Sequence, residues 1–285
     1  MDMDSWKWKE VCNLALDCAR FAVSHRRRAG IGYDLKSDGS LVTAVDARNE
    51  KFLKENLLRL DEGSYFIGEE TVLSCGADYI AAALAGRCWV VDPIDGTAPF
   101  AHGFPTWGVS IGYMREGRLT NGTVILPDTH EILTTDGDAV KYAQGFDLTD
   151  DAASLPWTVL DMPSNEWTDG GMLMLGQKFT RQEKIPLPNP VMSSGSAVQA
   201  LASVMSGKAE AYLGHMKLWD VAGVLPMMIR LGMVGRMSNG MMIDCDVTNG
   251  AFNLDVASPK CWALNADIRI ARPGVLDALA EKLSQ

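Results

Sequence analysis

Apolar positions recur at helical spacing through residues 6–28, where Val11, Leu14, Ala15, Cys18, Ala19 and Ala22 share one side. That stretch runs into a basic segment, His25 to Arg28, before Gly30, the charge bias that suits a helix C-terminus. A polar loop containing Lys36, Asp38 and Gly39 follows. Thr43 can then cap a second helix through about Leu60, with Phe52, Leu53, Leu57 and Leu58 on one face. Short apolar runs at 65–67, 88–91, 107–114, 122–125 and 131–134 read as strands, the last three as an antiparallel meander. Residues 143–156 read as a polar connection. Beyond them the pattern predicts a strand at 191–193, a helix at 196–205 capped by Ser194 or Ser196, and a strand at 209–213. One continuous helix at 220–231, an extended stretch at 261–272 and a last helix at 275–283 follow. Helices and strands alternate without βαβ regularity, which points to α+β layering.

The length, 285 residues, is expected to form a single domain, 1–285, of two packed lobes at about 1–185 and 186–285. With 47% hydrophobic and 22% charged residues the composition is that of a soluble globular chain. No apolar run approaches 18 residues, and the N-terminus lacks a basic segment leading into an apolar one, so neither a membrane span nor a secretory signal is expected. The formal net charge of −10 argues against nucleic acid as a partner. It would also repel an anionic substrate unless bound cations inverted the local field. Six cysteines form no CxxC pair, which gives no support to zinc ribbons or thioredoxin chemistry; with no export signal expected, reduced thiols and a cytoplasmic location are.

Candidate chemistry concentrates at residues 89–97, Trp-Val-Val-Asp-Pro-Ile-Asp-Gly-Thr, where an apolar strand leads into Asp92 and Asp95. Pro93 would stiffen a turn between them and Gly96 would permit its tight backbone. Paired carboxylates at a strand end are costly unless a cation joins them, and hard oxygen donors suit Mg²⁺. A helix starting near Thr97 would offer free N–H groups to a phosphate. Asp-Pro and Asp-Gly are equally ordinary turn pairs, so a turn followed by a helix cap explains the same residues. Glu69 and Glu70 follow another short apolar strand, Asp46 lies near the start of the second helix, and Asp220 follows Trp219 at a helix start. Each has an unremarkable reading alone, as a solvated acid or a cap; together, four acidic sites at element ends allow convergence on one cluster.

The stretches KSDGSLVTAVD (36–46), IGEE (67–70), WVVDPIDGT (89–97) and LWDVAG (218–223) together resemble the inositol monophosphatase-like phosphatases, in that family's order and separations. The resemblance implies a layered αβαβα sandwich, a homodimer, and Mg²⁺-dependent hydrolysis of a small phosphate monoester, inositol 1-phosphate or a related polyol or sugar phosphate, by direct attack of water, with two or three ions per site. It divides the lobes into a metal-binding one and a substrate one. It implies that Glu69, Asp92 and the carbonyl of Ile94 hold one ion, that Asp92, Asp95 and Asp220 hold another, and that Glu69 supports a looser third. Asp46 and Thr97 would orient the water, with Glu69 in the same catalytic group. Asp95, Gly96, Thr97, Ser196, Ala197, Leu213 and Asp220 would meet phosphate or substrate, with Lys36 and Glu70 behind them.

Some positions depart from the family. Pro99 stands where relatives usually carry Asn, which predicts a reshaped loop. Leu213 stands where inositol-specific members carry a glutamate for sugar hydroxyls, which favours another substrate: histidinol phosphate, fructose 1,6-bisphosphate or a nucleotide 3′-phosphate. His102, His215 and Lys217 lie close enough in sequence to contact substrate, and each also reads as an ordinary structural residue. A non-catalytic regulator that kept the fold is the alternative from another class. A Ca²⁺-binding structural domain lacks the EF-hand loop pattern.

Overall fold

The computed structural model describes residues 6–28, 32–36, 41–162, 165–182 and 186–284. Gly30, Asp38 and Gly39 lie outside the described residues.

The first helix, α1 (Trp8–Arg28), is followed by a small hairpin of β1 (Tyr33–Leu35) and β2 (Leu41–Thr43). Thr43 caps α2 (Ala44–Leu60) through a capping box closed by the Asp46 carboxylate, as its position before an apolar-periodic run predicts. β3 (Tyr65–Gly68), α3 (Ala77–Ala85), β4 (Arg87–Asp95) and the short α4 (Thr97–Ala101) come next. A meander of β5 (Gly108–Arg115), β6 (Arg118–Leu126), β7 (Glu131–Asp136), β8 (Ala139–Gln144) and β9 (Thr158–Val159) completes a sheet of order β3-β4-β5-β6-β7-β8-β9. Only β3 and β4 pair parallel in it. The second half supplies β10 (Leu173–Leu175), α5 (Gln177–Gln182), β11 (Val191–Met192), α6 (Ala197–Met205), β12 (Ala211–Gly214), α7 (Leu218–Ala222) and α8 (Leu225–Arg230). It ends with β13 (Val234–Met237), β14 (Met242–Ile243), β15 (Ile268–Ala271) and α9 (Pro273–Ser284). These strands form a second sheet of order β11-β10-β12-β15-β13-β14. The expected 185/186 lobe boundary therefore falls within this sheet's run of chain, because β10 already belongs to it.

Three apolar clusters define the layers. Side chains of α1 and α2 pack with Trp89, Val91, Ile111 and Ile125 on one face of the first sheet. Its other face, carrying Cys88, Val90 and Val124, packs on α6, α7 and α8, which also cover Tyr212, Ile268 and Ile270 of the second sheet. The outer face of the second sheet packs on α9 and on Phe179 of α5. Period-2 alternation along the strands feeds both sides of each sheet. The result is α+β with layers αβαβα, the sandwich that the motifs imply.

Where the pattern predicts a single helix over 220–231, the chain forms α7 and α8 with a break at Gly223 and Val224. Pro226 in the first turn of α8 cannot donate an N–H back into α7. The break seats α7 directly on the first sheet. A Cβ on Gly122 would lie 2.0 Å from the Gly223 carbonyl oxygen, and one on Gly112 would lie 2.6 Å from that of Ala222. Gly122→Ala is therefore expected to destabilise the protein by about 3 kcal/mol or more, because the obstacle is main chain and cannot rotate aside. A denaturant titration with no significant midpoint change would show that α7 is not held this way.

Candidate functional site

The acidic residues gather where the first sheet meets the α6–α7 layer. Asp92 and Asp95 lie on β4, not in a turn beyond it. Asp92 pairs with Ser110 and Asp95 with Gly108, so β4 carries one extra residue against β5. Residues three apart on a regular strand point to opposite faces; the bulge turns both carboxylates to one side. Asp220, in the first turn of α7, joins them, and one carboxylate oxygen from each of the three lies within 4.8 Å of the others.

Each acid is fixed by its neighbours. Asp92 Oδ1 accepts the Ile94 N–H at 3.0 Å. Asp95 Oδ2 accepts the Val198 N–H at 2.7 Å and a short hydrogen bond from the Ser196 hydroxyl, while Oδ1 accepts the Ala197 N–H at 3.3 Å. Ser196 is also the N-cap of α6, accepting the Gln199 N–H at 3.0 Å. Asp220 Oδ2 accepts the Lys217 N–H at 2.8 Å. Asp46 spends Oδ2 on the capping box, leaving Oδ1 to accept from the Thr97 hydroxyl at 3.1 Å. The same hydroxyl lies 3.0 Å from the Ile94 carbonyl. Lys36 reaches Glu69 at 3.0 Å and Glu70 at 2.7 Å. Behind them the buried Glu50 accepts the Glu70 N–H at 2.7 Å and so holds the 69–70 turn in place.

Gly96 has φ +87°, and a Cβ there would lie 2.9 Å from both Ser196 Cβ and the Thr106 carbonyl oxygen, so the turn into α4 requires glycine. Pro99 fits within the short helix that follows this turn. It is the third residue of α4, where the N–H has no intrahelical acceptor in any case.

Concentrated negative charge away from water shows in the carboxyl pKa values. Burial, then Glu69, Asp95 and Asp220, pushes Asp92 well above the usual carboxylate range. Burial, then Asp95 and Glu69, does the same to Asp220. Asp95 and Asp46 are each raised to about 6 by burial, against the hydrogen bonds they accept. Burial lifts Glu70 to about 7 despite Lys36. Burial alone would lower Lys36, but Glu69 and Glu70 outweigh it and raise its pKa.

Two adjoining cavities open here. One, of about 290 Å³, is lined by Glu69, Asp92, Ile94, Asp95, Gly96, Thr97 and Asp220 together with Gln177 and Arg181. The other, of about 180 Å³, shares Asp95, Gln177 and Asp220 and adds Lys178, Ser196, Ala197, Tyr212 and His215. Leu213 lines neither. On β12, alternation sends Tyr212 inward, while Leu213, 1% exposed, joins the outer cluster with Val275 and Leu279. His102 borders a more apolar cavity with Pro99, Phe104 and Met192 that adjoins the first through Ala98 and Gln177, and Lys217 borders another, with Lys36 and Trp219, that adjoins it through Glu69. Sequence reasoning missed Gln177, Lys178, Arg181 and Tyr212. The available signal was the apolar run at 172–175 ending in Gly-Gln-Lys, a second strand end aimed at the same place.

A sequence model described as the inositol monophosphatase family matches residues 9–232. The inositol-1-monophosphatase SuhB of Mycobacterium tuberculosis is 30% identical, with 96% of this chain and 91% of that protein covered. Human inositol monophosphatase 1 is 29% identical over 87% of each chain. A solved IMPase/NADP phosphatase has the same fold, with a TM-score of 0.70 at 15% identity over 96% of this chain and 93% of that one. The chain belongs to the inositol monophosphatase family of phosphoric monoester hydrolases.

Proposed function

We propose that the protein hydrolyses the phosphate monoester of a small polyol, sugar or related alcohol, using Mg²⁺ held by the carboxylates described above. One observation carries this reading. Asp92, Asp95 and Asp220 bring oxygen donors within 4.8 Å of one another, and no ion pair with these three is formed among the described residues. Three acids this close, two buried and one half-buried, call for a hard cation, and an all-oxygen donor set suits Mg²⁺ rather than a softer metal. The relative solved as IMPase/NADP phosphatase was complexed with Mg²⁺ and phosphate.

The residues divide the work as follows. Glu69, Asp92 and the Ile94 carbonyl would hold one ion; Asp92, Asp95 and Asp220 would hold a second; Glu69 would support a third where three bind. The bound ions supply Lewis-acid charge that offsets the phosphate oxygens and makes water acidic enough to attack at neutral pH. Asp46, with one oxygen tied to the α2 cap and the other to Thr97, aims the Thr97 hydroxyl at the Ile94 edge of the cavity, where the attacking water is to be oriented. N–H groups of Gly96 and Thr97 at the start of α4 face phosphate oxygens. Ser196 and Ala197 keep Asp95 from rotating, and Lys36 with Glu70 steadies Glu69. Leu213 contributes packing behind the substrate wall.

No described helix is long and apolar enough to cross a membrane. The six free thiols support a cytoplasmic setting. Exposed Phe104, Val191 and Met192 support assembly with a second copy of the chain.

The test is turnover of a generic aryl phosphate with Mg²⁺, after chelation, and after Mg²⁺ is restored. We expect activity, its loss and its return. A single turnover in ¹⁸O-water should label the released phosphate directly, with no phosphoprotein. Hydrolysis indifferent to chelation would sink the metal assignment.

A further inference from the structure

The metal chemistry leaves one wall of the site unexplained. Helix α5 crosses the mouth of both cavities and turns Gln177, Lys178 and Arg181 toward them. Arg181 is exposed and forms no ion pair or hydrogen bond among the described residues. Lys178 and His215 converge on one carboxylate, with Lys178 Nζ 3.0 Å and His215 Nδ1 3.1 Å from Asp267 Oδ1. Asp267 sits just before β15, so the pair of contacts ties α5 to the second sheet and fixes both side chains at the cavity wall. Burial and the neighbouring Lys178 lower the His215 pKa against the pull of Asp267, which favours a neutral ring able to donate or accept one hydrogen bond.

An uncharged polyol would call for acceptors and donors here, and for an acid to bind its hydroxyls. The position available for such an acid holds Leu213, which faces the other way. Beyond the Gln177 amide, the wall offers a guanidinium with no partner among the described residues, an ammonium group paired with Asp267, and an imidazole, on a chain of net charge −10. An unpaired Arg beside a cavity that must already admit a phosphate suits bidentate capture of another anion.

Resting on the phosphatase reading above, we propose that the leaving alcohol of the substrate carries a second anionic group, a carboxylate or phosphate. Arg181 binds it, and Lys178 and His215 flank it in the geometry that Asp267 sets. Arg181 and Lys178 are then specificity residues: they touch the part of the substrate that departs, not the phosphorus that reacts.

The test compares three esters with Mg²⁺: glycerol 2-phosphate, whose leaving group is uncharged, 2-phosphoglycerate, which bears a carboxylate, and a hexose 1,6-bisphosphate, which bears a second phosphate. At least one anionic ester is expected to exceed glycerol 2-phosphate in kcat/KM by about tenfold or more, mainly through KM. Which one does so identifies the anion. Arg181→Ala should lower that ratio about tenfold, and Arg181→Lys should keep most of it. A ratio near one in the natural protein, or a ratio that Arg181→Ala leaves in place, overturns the proposal. Should no ester turn over, the phosphatase reading fails, and calorimetric binding of the same esters decides the anion site. Tighter binding of the anionic ester that disappears in Arg181→Ala supports it; equal binding refutes it.

Discussion

Asp92→Asn is expected to lower kcat by roughly 10³-fold or more while leaving the fold intact, because a metal ligand's share of transition-state charge stabilisation amounts to several kcal/mol. Asp92 stands between Asp95, Asp220 and Glu69 in charge as well as in space: after burial, these three are the groups that raise its pKa most. Asn keeps the shape and can still receive the Ile94 N–H, so the bulge of β4 should persist. What it removes is one negative donor shared by the expected ions. The variant should therefore lose divalent binding by calorimetry along with activity. In chelator it should melt no lower than the natural protein, and higher if repulsion among the acids dominates. A variant that binds Mg²⁺ normally and turns over at the natural rate would remove Asp92 from the site's chemistry.

Stability of the metal-free protein is expected to fall as pH rises from about 4 to 7. Asp46 and Asp95 are raised to about 6 and Glu70 to about 7, while Asp92 and Asp220 are raised further by the same burial and crowding. Groups with raised pKa values bind protons in the folded chain that the unfolded chain has already released. The unfolding free energy therefore declines through the window between the two values. For Asp46 alone the rise from the ordinary carboxylate value to about 6 corresponds to roughly 3 kcal/mol. In chelator, the melting temperature at pH 7 is expected to lie about 5–10 °C below that near pH 5 from this group of acids. Millimolar Mg²⁺ should close most of the gap, since a ligand that binds only the folded form adds stability by mass action. A melting temperature that rises steadily with pH in chelator would mean that the cluster carries less repulsion than its geometry implies.

Much of this organisation was legible in the residues. Thr43, placed just before an apolar-periodic run, announced the start of α2. The apolar runs before Glu69 and Asp92 announced strand ends, and four separated motifs in register pointed to the layered fold. What escaped has physical reasons. Helix α3, Ala-Asp-Tyr-Ile-Ala-Ala-Ala-Leu-Ala, carries too little contrast between its faces to show a period. The pair Asp92 and Asp95 reads as a turn because Asp-Pro favours one locally, yet pairing with β5 absorbs the extra residue as a bulge. The break between α7 and α8 depends on a backbone approach to another sheet, which no local pattern records. Leu213 was read as facing substrate from its place in a motif, but one step along β12 exchanges inner and outer faces. Gln177, Lys178 and Arg181 are ordinary polar residues until tertiary structure carries α5 over the site.

The seating of α7 on the first sheet has a consequence for tolerance to change. At Gly112 and Gly122 main chain lies against main chain, and the Ser110 hydroxyl accepts the Gly223 N–H and donates to the Trp219 carbonyl. The location of Asp220 is thereby referenced to the peptide units of β5 and β6 as well as to the packing of Leu218, Trp219 and Val221 around it. Apolar residues elsewhere in that layer can drift over generations, swapping Met for Leu or Val for Ile, without carrying the carboxylate off its mark.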